Sequence, residues 1–227
     1  MKKVAIFDVD GTIFRSSLLI ELVNVLIDKK LFPADSYTEY NKEYLAWMDR
    51  KGTYEEYIMA VVRVFMKYIV GISYTDLQEV SRIVVAHHAD RTYRYTRDLI
   101  KELKEKDYYI LAISHSPKTV LDEFAKKMGF DKVYGMRYEV DADGKYTSTI
   151  LDEEIIRNKN KVLERAVEKE GLTLEDSVGV GDTESDIKFL SMVAKPICFN
   201  PNSGLYKHAK EAGWKVVVER KDVVYEL

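Results

Sequence analysis

Four aspartates and a serine stand beside apolar runs in the sequence, where they could do chemistry together. They are Asp8, Asp10, Ser114, Asp182 and Asp186. Carboxylates gathered in one crevice repel one another unless a hard divalent cation neutralises them, and oxygen donors without a nearby Cys/His cluster suit magnesium. Magnesium prefers to share its coordination shell with a phosphate. The residue types therefore indicate a magnesium-dependent site for a phosphorylated ligand, provided that the fold brings them together.

The elements that must position these residues are predicted from the apolar runs. Val4 to Phe7 is a continuous apolar run, typical of a parallel strand that is covered on both faces. Three later runs, ending at Ser114, Asp182 and Asn200, repeat this pattern, and each is followed by a helical segment. The alternation predicts an α/β fold with a Rossmann-like parallel sheet. Ligands bind outside the carboxyl ends of such strands, which is where the polar residues collect.

Local signals also predict helix ends and a hairpin. Ser116 and Pro117 are read as the N-cap and first residue of a helix that ends at Gly129. A second helix is predicted from Asn158 to Glu170, before Gly171. Alternating residues on either side of Asp143 and Gly144 predict a β-hairpin between residues 135 and 150.

The stretch from residue 16 to residue 89 contains helical patterns and no clear strand. We interpret it as an all-helical cap domain inserted into a core domain of residues 1–15 and 90–227. Its aromatic residues are compatible with ordinary packing of a small bundle, which we favour, or with a lined pocket. They are Tyr37, Tyr40, Tyr44, Trp47, Tyr54, Tyr57, Tyr68 and Tyr74.

Four motifs in this order resemble those of the haloacid dehalogenase superfamily. They are DVDGT from Asp8 to Thr12, Ser114 at a strand end, Lys159 at a helix start, and GDTESD from Gly181 to Asp186. The helical insertion directly after the first motif, and the segment from Lys159 to Asp182, are most similar to the phosphoserine phosphatase-like branch. The resemblance implies a core of this family's fold, a helical cap, and a magnesium-dependent phosphatase that works through an aspartyl phosphate.

The chemistry of phosphoryl transfer and the resemblance together give each residue a role. Asp8 is the expected nucleophile, and Asp10 the expected general acid and then base towards water. The expected metal ligands are Asp8, Asp10 through its backbone carbonyl, Asp182 and Asp186. Ser114 and Lys159 would hold the equatorial phosphoryl oxygens. The expected substrate-binding residues are Thr12, Ser114, His115 and Lys159.

Each assignment has an alternative that the sequence leaves open. The two aspartates of DVDGT could form a capped turn, and Lys161 competes with Lys159 for the phosphate. His115 could contact the substrate, but a lone histidine in a strand-to-helix turn is more often a structural hydrogen-bond donor. For the whole protein, the alternatives are a phosphotransferase with an acceptor other than water, a phospho-receiver domain, or a noncatalytic binding module.

The resemblance also points to a substrate difference. Phosphoserine phosphatases similar to this chain carry a glutamate shortly after the first motif and an arginine in the cap, whereas this sequence has Ser17 and Val61 there. A zwitterionic amino acid would then lack both of its charge partners. Glu21 and Arg63 lie close enough in sequence to substitute for them. We expect the reaction to be shared and the substrate to be a small phosphorylated metabolite other than phosphoserine.

Composition limits the class of protein, its partners and its location in the cell. The 227 residues are 46% hydrophobic and 32% charged, enough for a real core, and the formal net charge of −3 predicts no nucleic-acid or membrane partner. The only cysteine, Cys198, has no disulfide partner within the chain. The first apolar run is cut off by Asp8 and Asp10 before it could form a signal peptide. We expect a cytoplasmic protein that is a monomer or a homodimer.

Overall fold

A computed structural model describes all residues, 1–227, and shows one eight-stranded sheet with helices on both faces. The strands are β1 (Lys2–Phe7), β2 (Tyr109–Pro117), β3 (Lys132–Val140), β4 (Tyr146–Leu151), β5 (Leu172–Gly181), β6 (Lys195–Phe199), β7 (Lys215–Arg220) and β8 (Val223–Glu226). Their spatial order is β4-β3-β2-β1-β5-β6-β7-β8. All neighbours are parallel except the β3–β4 and β7–β8 pairs at the two edges. The predicted parallel sheet is confirmed.

Ten helices accompany the sheet. They are α1 (Leu18–Asp28), α2 (Thr38–Met48), α3 (Tyr54–Tyr68), α4 (Tyr74–His88), α5 (Arg94–Glu105), α6 (Lys118–Met128), α7 (Glu153–Ile156), α8 (Lys159–Glu170), α9 (Ile187–Leu190) and α10 (Ser203–Ala212). A 3-10 turn covers Glu184–Asp186. No helix is both long enough and apolar enough to cross a membrane.

The first strand shows why an uninterrupted apolar run predicts a central strand. Successive side chains of a strand point to opposite faces of the sheet. Ala5 and Phe7 belong to one apolar cluster, whereas Val4 and Ile6 belong to another on the other face. All four are fully buried, because helices cover both faces. This burial fixes β1 in the centre of the sheet, with its carboxyl end at the edge where Asp8 follows.

Several local predictions are confirmed. Gly129 and Gly171 end α6 and α8 in the left-handed conformation, with φ of 66° and 62°. Strands β3 and β4 pair antiparallel around Gly144, which has a φ of 75°. The helix start predicted at Ser116 is wrong, because β2 continues to Pro117 and α6 begins at Lys118.

The helices between β1 and β2 pack into the same apolar cluster as one face of the sheet. That cluster contains 40 buried residues, among them Val23 and Val61 of α1 and α3, and Ile110 and Phe124 of β2 and α6. Apolar surface is therefore continuous from α1–α4 into the core. The division of the chain at residues 16 and 89 stays a prediction.

Backbone hydrogen bonds join α1–α4 to the core at two places. At the chain crossings, Arg15 N donates to Arg91 O at 2.8 Å, and Tyr93 N donates to Ile13 O at 2.9 Å. Away from these crossings, the backbone N of Tyr146 in the β3–β4 hairpin donates to the carbonyl of Ile72, just before α4, at 2.9 Å. Any movement of α1–α4 relative to the sheet must therefore either break the second connection or carry the hairpin along.

Candidate active site

The carboxyl ends of β1, β2 and β5 meet at one edge of the sheet, and the predicted site residues lie there. Asp8 comes directly after β1, and its backbone N donates to Val180 O of β5 at 2.9 Å, so the ladder holds it in place. Ser114 lies near the carboxyl end of β2, three residues before Pro117, and Asp182 follows β5. The three neighbouring strands thus deliver these side chains to a common crevice, as the sequence predicts.

Lys159 lies at the centre of this crevice. It is the first residue of α8, and its Nζ is 2.6 Å from Oδ1 of Asp8 and 2.6 Å from Oδ1 of Asp186. Burial alone lowers the pKa of Lys159, but the carboxylates of Asp186 and Asp8 outweigh burial and raise it above its ordinary value. The lysine is therefore a fixed positive charge. Lys161, the competing candidate, is exposed and paired with Glu154.

Three carboxylates surround a place where a cation fits. One oxygen each from Asp8, Asp182 and Asp186 lies within 4.8 Å of the others. Burial raises the pKa of Asp8 to about 7, and the nearby Lys159 only partly offsets this effect. Burial, followed by the charges of Asp8 and Asp186, also raises the pKa of Asp182 well above its ordinary value. Lys159 alone does not supply enough positive charge for the three carboxylates. Their oxygen donors therefore fit a hard divalent cation.

Two glycines allow these carboxylates to lie against the backbone. Gly11 has a φ of +80°, and a Cβ there would overlap Oδ2 of Asp182. A Cβ on Gly181 would lie 2.6 Å from Oδ2 of Asp186. That same oxygen accepts hydrogen bonds from the backbone N of Asp182 at 3.0 Å and of Thr183 at 3.1 Å. Asp186 therefore fixes the turn that aims Asp182. The lack of room for a Cβ explains why both motifs have glycine at these positions.

Asp10 makes a different set of contacts from Asp8. Its Oδ2 accepts hydrogen bonds from the hydroxyls of Ser114 at 2.6 Å and Ser116 at 2.8 Å. Its Oδ1 accepts from the backbone N of Leu18, the first residue of α1, at 2.6 Å. The side chain lies outside the three-carboxylate cluster, so only the backbone carbonyl of Asp10 could serve as a metal ligand.

Ser116 is the residue that the sequence reasoning missed. Its position before Pro117 suggested a helix cap, and nothing local suggested a contact with Asp10, which is 106 residues earlier. The available signal was its spacing from Ser114, because alternate residues of a strand point to the same face.

Thr12 and His115 are not drawn into this network. Thr12 is fully buried, its hydroxyl has no hydrogen-bond partner, and its backbone carbonyl accepts from the hydroxyl of Thr96 at 2.9 Å. His115 is exposed. A role for either residue in substrate binding stays a prediction.

Most aromatic residues of the helical insertion pack against one another. Tyr40 and Tyr57 are buried, and the rings of Trp47 and Tyr57 stack with their centroids 5.6 Å apart. Tyr54, at the start of α3, packs edge to face with Trp47 and is more exposed than Tyr40 and Tyr57. Burial of its phenol raises the pKa of Tyr54, and the nearby carboxylates of Asp10 and Asp182 raise it further. Packing explains the cluster, with Tyr54 at its border with the site.

Comparison with known proteins is consistent with this geometry. The family model of haloacid dehalogenase-like hydrolases matches residues 5–191. A phosphoserine phosphatase of Methanocaldococcus jannaschii is 27% identical over 223 residues, covering 98% of this chain and 94% of that protein. A histidinol-phosphatase of Neisseria meningitidis serogroup C is 25% identical over 222 residues, covering 96% of this chain and 99% of that protein.

Solved structures share the fold. A protein of unknown function from Bordetella pertussis aligns with a TM-score of 0.74 at 18% identity, covering 95% of this chain and 98% of its own. A phospho-aspartyl intermediate analogue of phosphoserine phosphatase aligns with a TM-score of 0.64 at 23% identity, covering 97% and 95%. The chain therefore belongs to the haloacid dehalogenase-like hydrolase family, in the branch that resembles phosphoserine phosphatase, and it is a phosphatase.

Proposed function

We propose that the protein hydrolyses a small phosphomonoester with Mg²⁺ through an aspartyl phosphate on Asp8, and that its substrate is not phosphoserine. The observation that carries the proposal is the pairing of two carboxylates with different surroundings. Asp8 contacts Lys159 and belongs to the cation-binding cluster, whereas Asp10 is held outside the cluster by hydroxyl groups. Two neighbouring carboxylates with separate environments suit separate roles as nucleophile and acid.

The first half-reaction transfers the phosphoryl group to the protein. A carboxylate oxygen of Asp8 forms a bond to phosphorus while the bond from phosphorus to the alcohol oxygen breaks, and Asp10 gives its proton to that oxygen. Lys159 and the Ser114 hydroxyl bind the equatorial phosphoryl oxygens, which gain charge in the transition state. Bound Mg²⁺ would add positive charge at the phosphoryl oxygens and orient them.

The second half-reaction restores the enzyme. Asp10, now ionised, takes a proton from a water molecule, whose oxygen attacks phosphorus. The bond between phosphorus and Asp8 breaks, and inorganic phosphate leaves. Since an alcohol could attack in place of water, a phosphotransferase uses the same residues, whereas a noncatalytic binding module has no need of the ordered pair Asp8 and Asp10.

The contacts of the possible substrate-charge partners support a substrate other than phosphoserine. Ser17 is buried and caps α1 through the backbone N of Leu19, and Val61 is fully buried. Glu21 already pairs with Arg91, at 2.7 Å. Arg63 is exposed on the face of α3 opposite to Val61, where it lines a surface cavity. Neither Glu21 nor Arg63 is therefore placed to bind the charges of an amino acid.

A panel of phosphorylated metabolites tests the proposal. Phosphate release with Mg²⁺ is measured for sugar phosphates, nucleotides, phosphoserine, histidinol phosphate and p-nitrophenyl phosphate, with and without an added alcohol as acceptor. We expect release from some of the panel, with kcat/KM for phosphoserine at least about tenfold below the best substrate, because each uncompensated charge costs binding energy. Phosphoserine as the best substrate would contradict the substrate proposal, and no release from any phosphomonoester would contradict the function.

Magnesium is expected to stabilise the protein, and more so at high pH. Asp8 has a pKa of about 7 in the folded protein, against an ordinary value of 3.8, so the folded state binds this proton more tightly than the unfolded state. The metal-free protein therefore loses stability as the pH rises from about 4 to about 7. Asp182 shifts in the same direction. Because Mg²⁺ binds the ionised carboxylates, its stabilising effect grows over this pH range.

Thermal denaturation with and without MgCl₂ at pH 5 and pH 8 measures this effect. At a concentration about 100-fold above its Kd, Mg²⁺ should stabilise the fold by about 2.7 kcal/mol, which corresponds to a Tm rise of several degrees at pH 8. Asp182→Asn should reduce the rise, whereas Asp98→Asn, a change at an exposed side chain of α5, should leave it intact. An equal rise at both pH values would contradict the assignment.

A further inference from the structure

Two serine hydroxyls and one backbone N–H hold the carboxylate of Asp10. Ser114 and Ser116 both donate to Oδ2, at 2.6 Å and 2.8 Å, and Leu18 N donates to Oδ1 at 2.6 Å. The two serines can reach one oxygen because they lie two residues apart in β2, with their side chains on the same face. Ser116 is only 3% exposed, so its hydroxyl has little access to water as an alternative partner.

The two hydroxyls do not remain equivalent during the reaction. A serine hydroxyl carries one proton and can therefore donate one hydrogen bond at a time. In the proposed function, Ser114 donates to a phosphoryl oxygen, and so its bond to Asp10 is given up when substrate binds. The donors that remain on Asp10 are then Leu18 N at Oδ1 and Ser116 at Oδ2.

No other role in the structure accounts for the Ser116 side chain. The N-cap position of α6 is occupied by Pro117, and that helix has no side-chain cap. The backbone N of Ser116 donates to the Ser114 hydroxyl at 2.9 Å, whereas the Ser116 hydroxyl makes its one hydrogen bond to Asp10. A buried hydroxyl that donates to a carboxylate restricts the orientation of that carboxylate.

We propose that Ser116 is a positioning residue, which keeps the Asp10 carboxylate aimed at the leaving-group oxygen after Ser114 has turned to the phosphoryl group. The proposal rests on the proposed function, since it needs Asp10 to act as the proton donor. Ser116 then acts through Asp10 and does not touch the substrate. Removal of the Ser116 hydroxyl should therefore slow the reaction mainly for substrates whose leaving group must be protonated.

Kinetics of Ser116→Ala test the proposal. We expect kcat/KM to fall about tenfold for an alkyl phosphate and no more than about twofold for p-nitrophenyl phosphate, whose leaving group needs little protonation. In the Asp10→Asn background the same change should cost less than about twofold on either substrate, because the group it positions no longer gives a proton. Ser116→Cys keeps a short side chain with a weaker donor on a larger atom, and it replaces the alanine variant if that variant does not fold.

Ser81→Ala is the matched control. Ser81 is another fully buried serine, in α4, where its hydroxyl donates to Leu77 O at 2.7 Å, so its loss tests stability alone. Ser81→Ala should keep the wild-type ratio of alkyl to aryl activity. Equal losses of the two activities in Ser116→Ala, or the same loss in the Asp10→Asn background, would overturn the proposal. A wild-type protein without activity on any phosphomonoester would instead overturn the proposed function.

Discussion

Asp8→Asn is expected to lower phosphate release from p-nitrophenyl phosphate by at least about 1,000-fold while the fold is retained. The amide has the shape of the carboxylate but is not a nucleophile, so no phosphoryl enzyme can form. Burial raises the pKa of Asp8 to about 7, and an asparagine at this position removes the cost of a buried ionised group. Because Lys159 keeps Asp186 as a partner at 2.6 Å, the variant should not lose thermal stability at pH 8.

Steady-state kinetics, with circular dichroism as a check of the fold, measure this loss. Mass spectrometry of acid-quenched protein should show a phosphorylated Asp8 in the wild type and none in the variant. Asp143→Asn, in the exposed turn between β3 and β4, is the control and should behave as the wild type. A folded Asp8→Asn enzyme within about tenfold of wild-type turnover would exclude Asp8 as the nucleophile.

Asp10→Asn is expected to have the second largest effect, a loss of about 100- to 1,000-fold in kcat/KM for alkyl phosphates. An amide cannot protonate the leaving oxygen. It also offers one acceptor oxygen where the carboxylate has two, so Leu18 N or the two serine hydroxyls lose their acceptor. The loss should shrink as the leaving group improves, because a good leaving group departs without a proton.

A series of alkyl and aryl phosphates with leaving groups of graded pKa measures this dependence. In the variant, a plot of log kcat/KM against leaving-group pKa should be steeper than in the wild type. Single-turnover measurements separate the loss of leaving-group protonation from the loss of water activation, which affects only the second step. Parallel plots for the two proteins would show that Asp10 is not the acid.

The sequence alone determined the centre of the sheet and most of the site. A run such as Val4–Phe7 can be stable only where both of its faces are covered, and the carboxylates that follow it must then lie at the carboxyl edge of the sheet. The helix ends at Gly129 and Gly171 follow from local rules, since the left-handed backbone conformation that ends a helix favours glycine whatever surrounds it. These features depend on neighbouring residues, which a sequence displays directly.

The last two strands of the chain, β7 and β8, were not predicted, because their signal is not local. Strand β7 contains a short apolar run and β8 an exposed edge, and each becomes a strand by pairing with a neighbour. Glu219 of β7 illustrates the same limit. Its carboxylate accepts hydrogen bonds from the backbone N of Arg94 at 3.1 Å and of Tyr95 at 2.8 Å, and so caps α5 across more than a hundred residues.

Tertiary structure decided which of several similar residues serves the site and how the helical insertion meets the core. Lys159 and Lys161 both lie in the first turn of α8. Residues two positions apart in a helix point about 200° apart around its axis, so Lys159 is buried against Asp8 and Lys161 is exposed. Ser116 faces Asp10 because β2 runs on to Pro117. The helices α1–α4 share one apolar cluster with the sheet. Each of these outcomes depends on contacts between distant parts of the chain, which only the folded structure brings together.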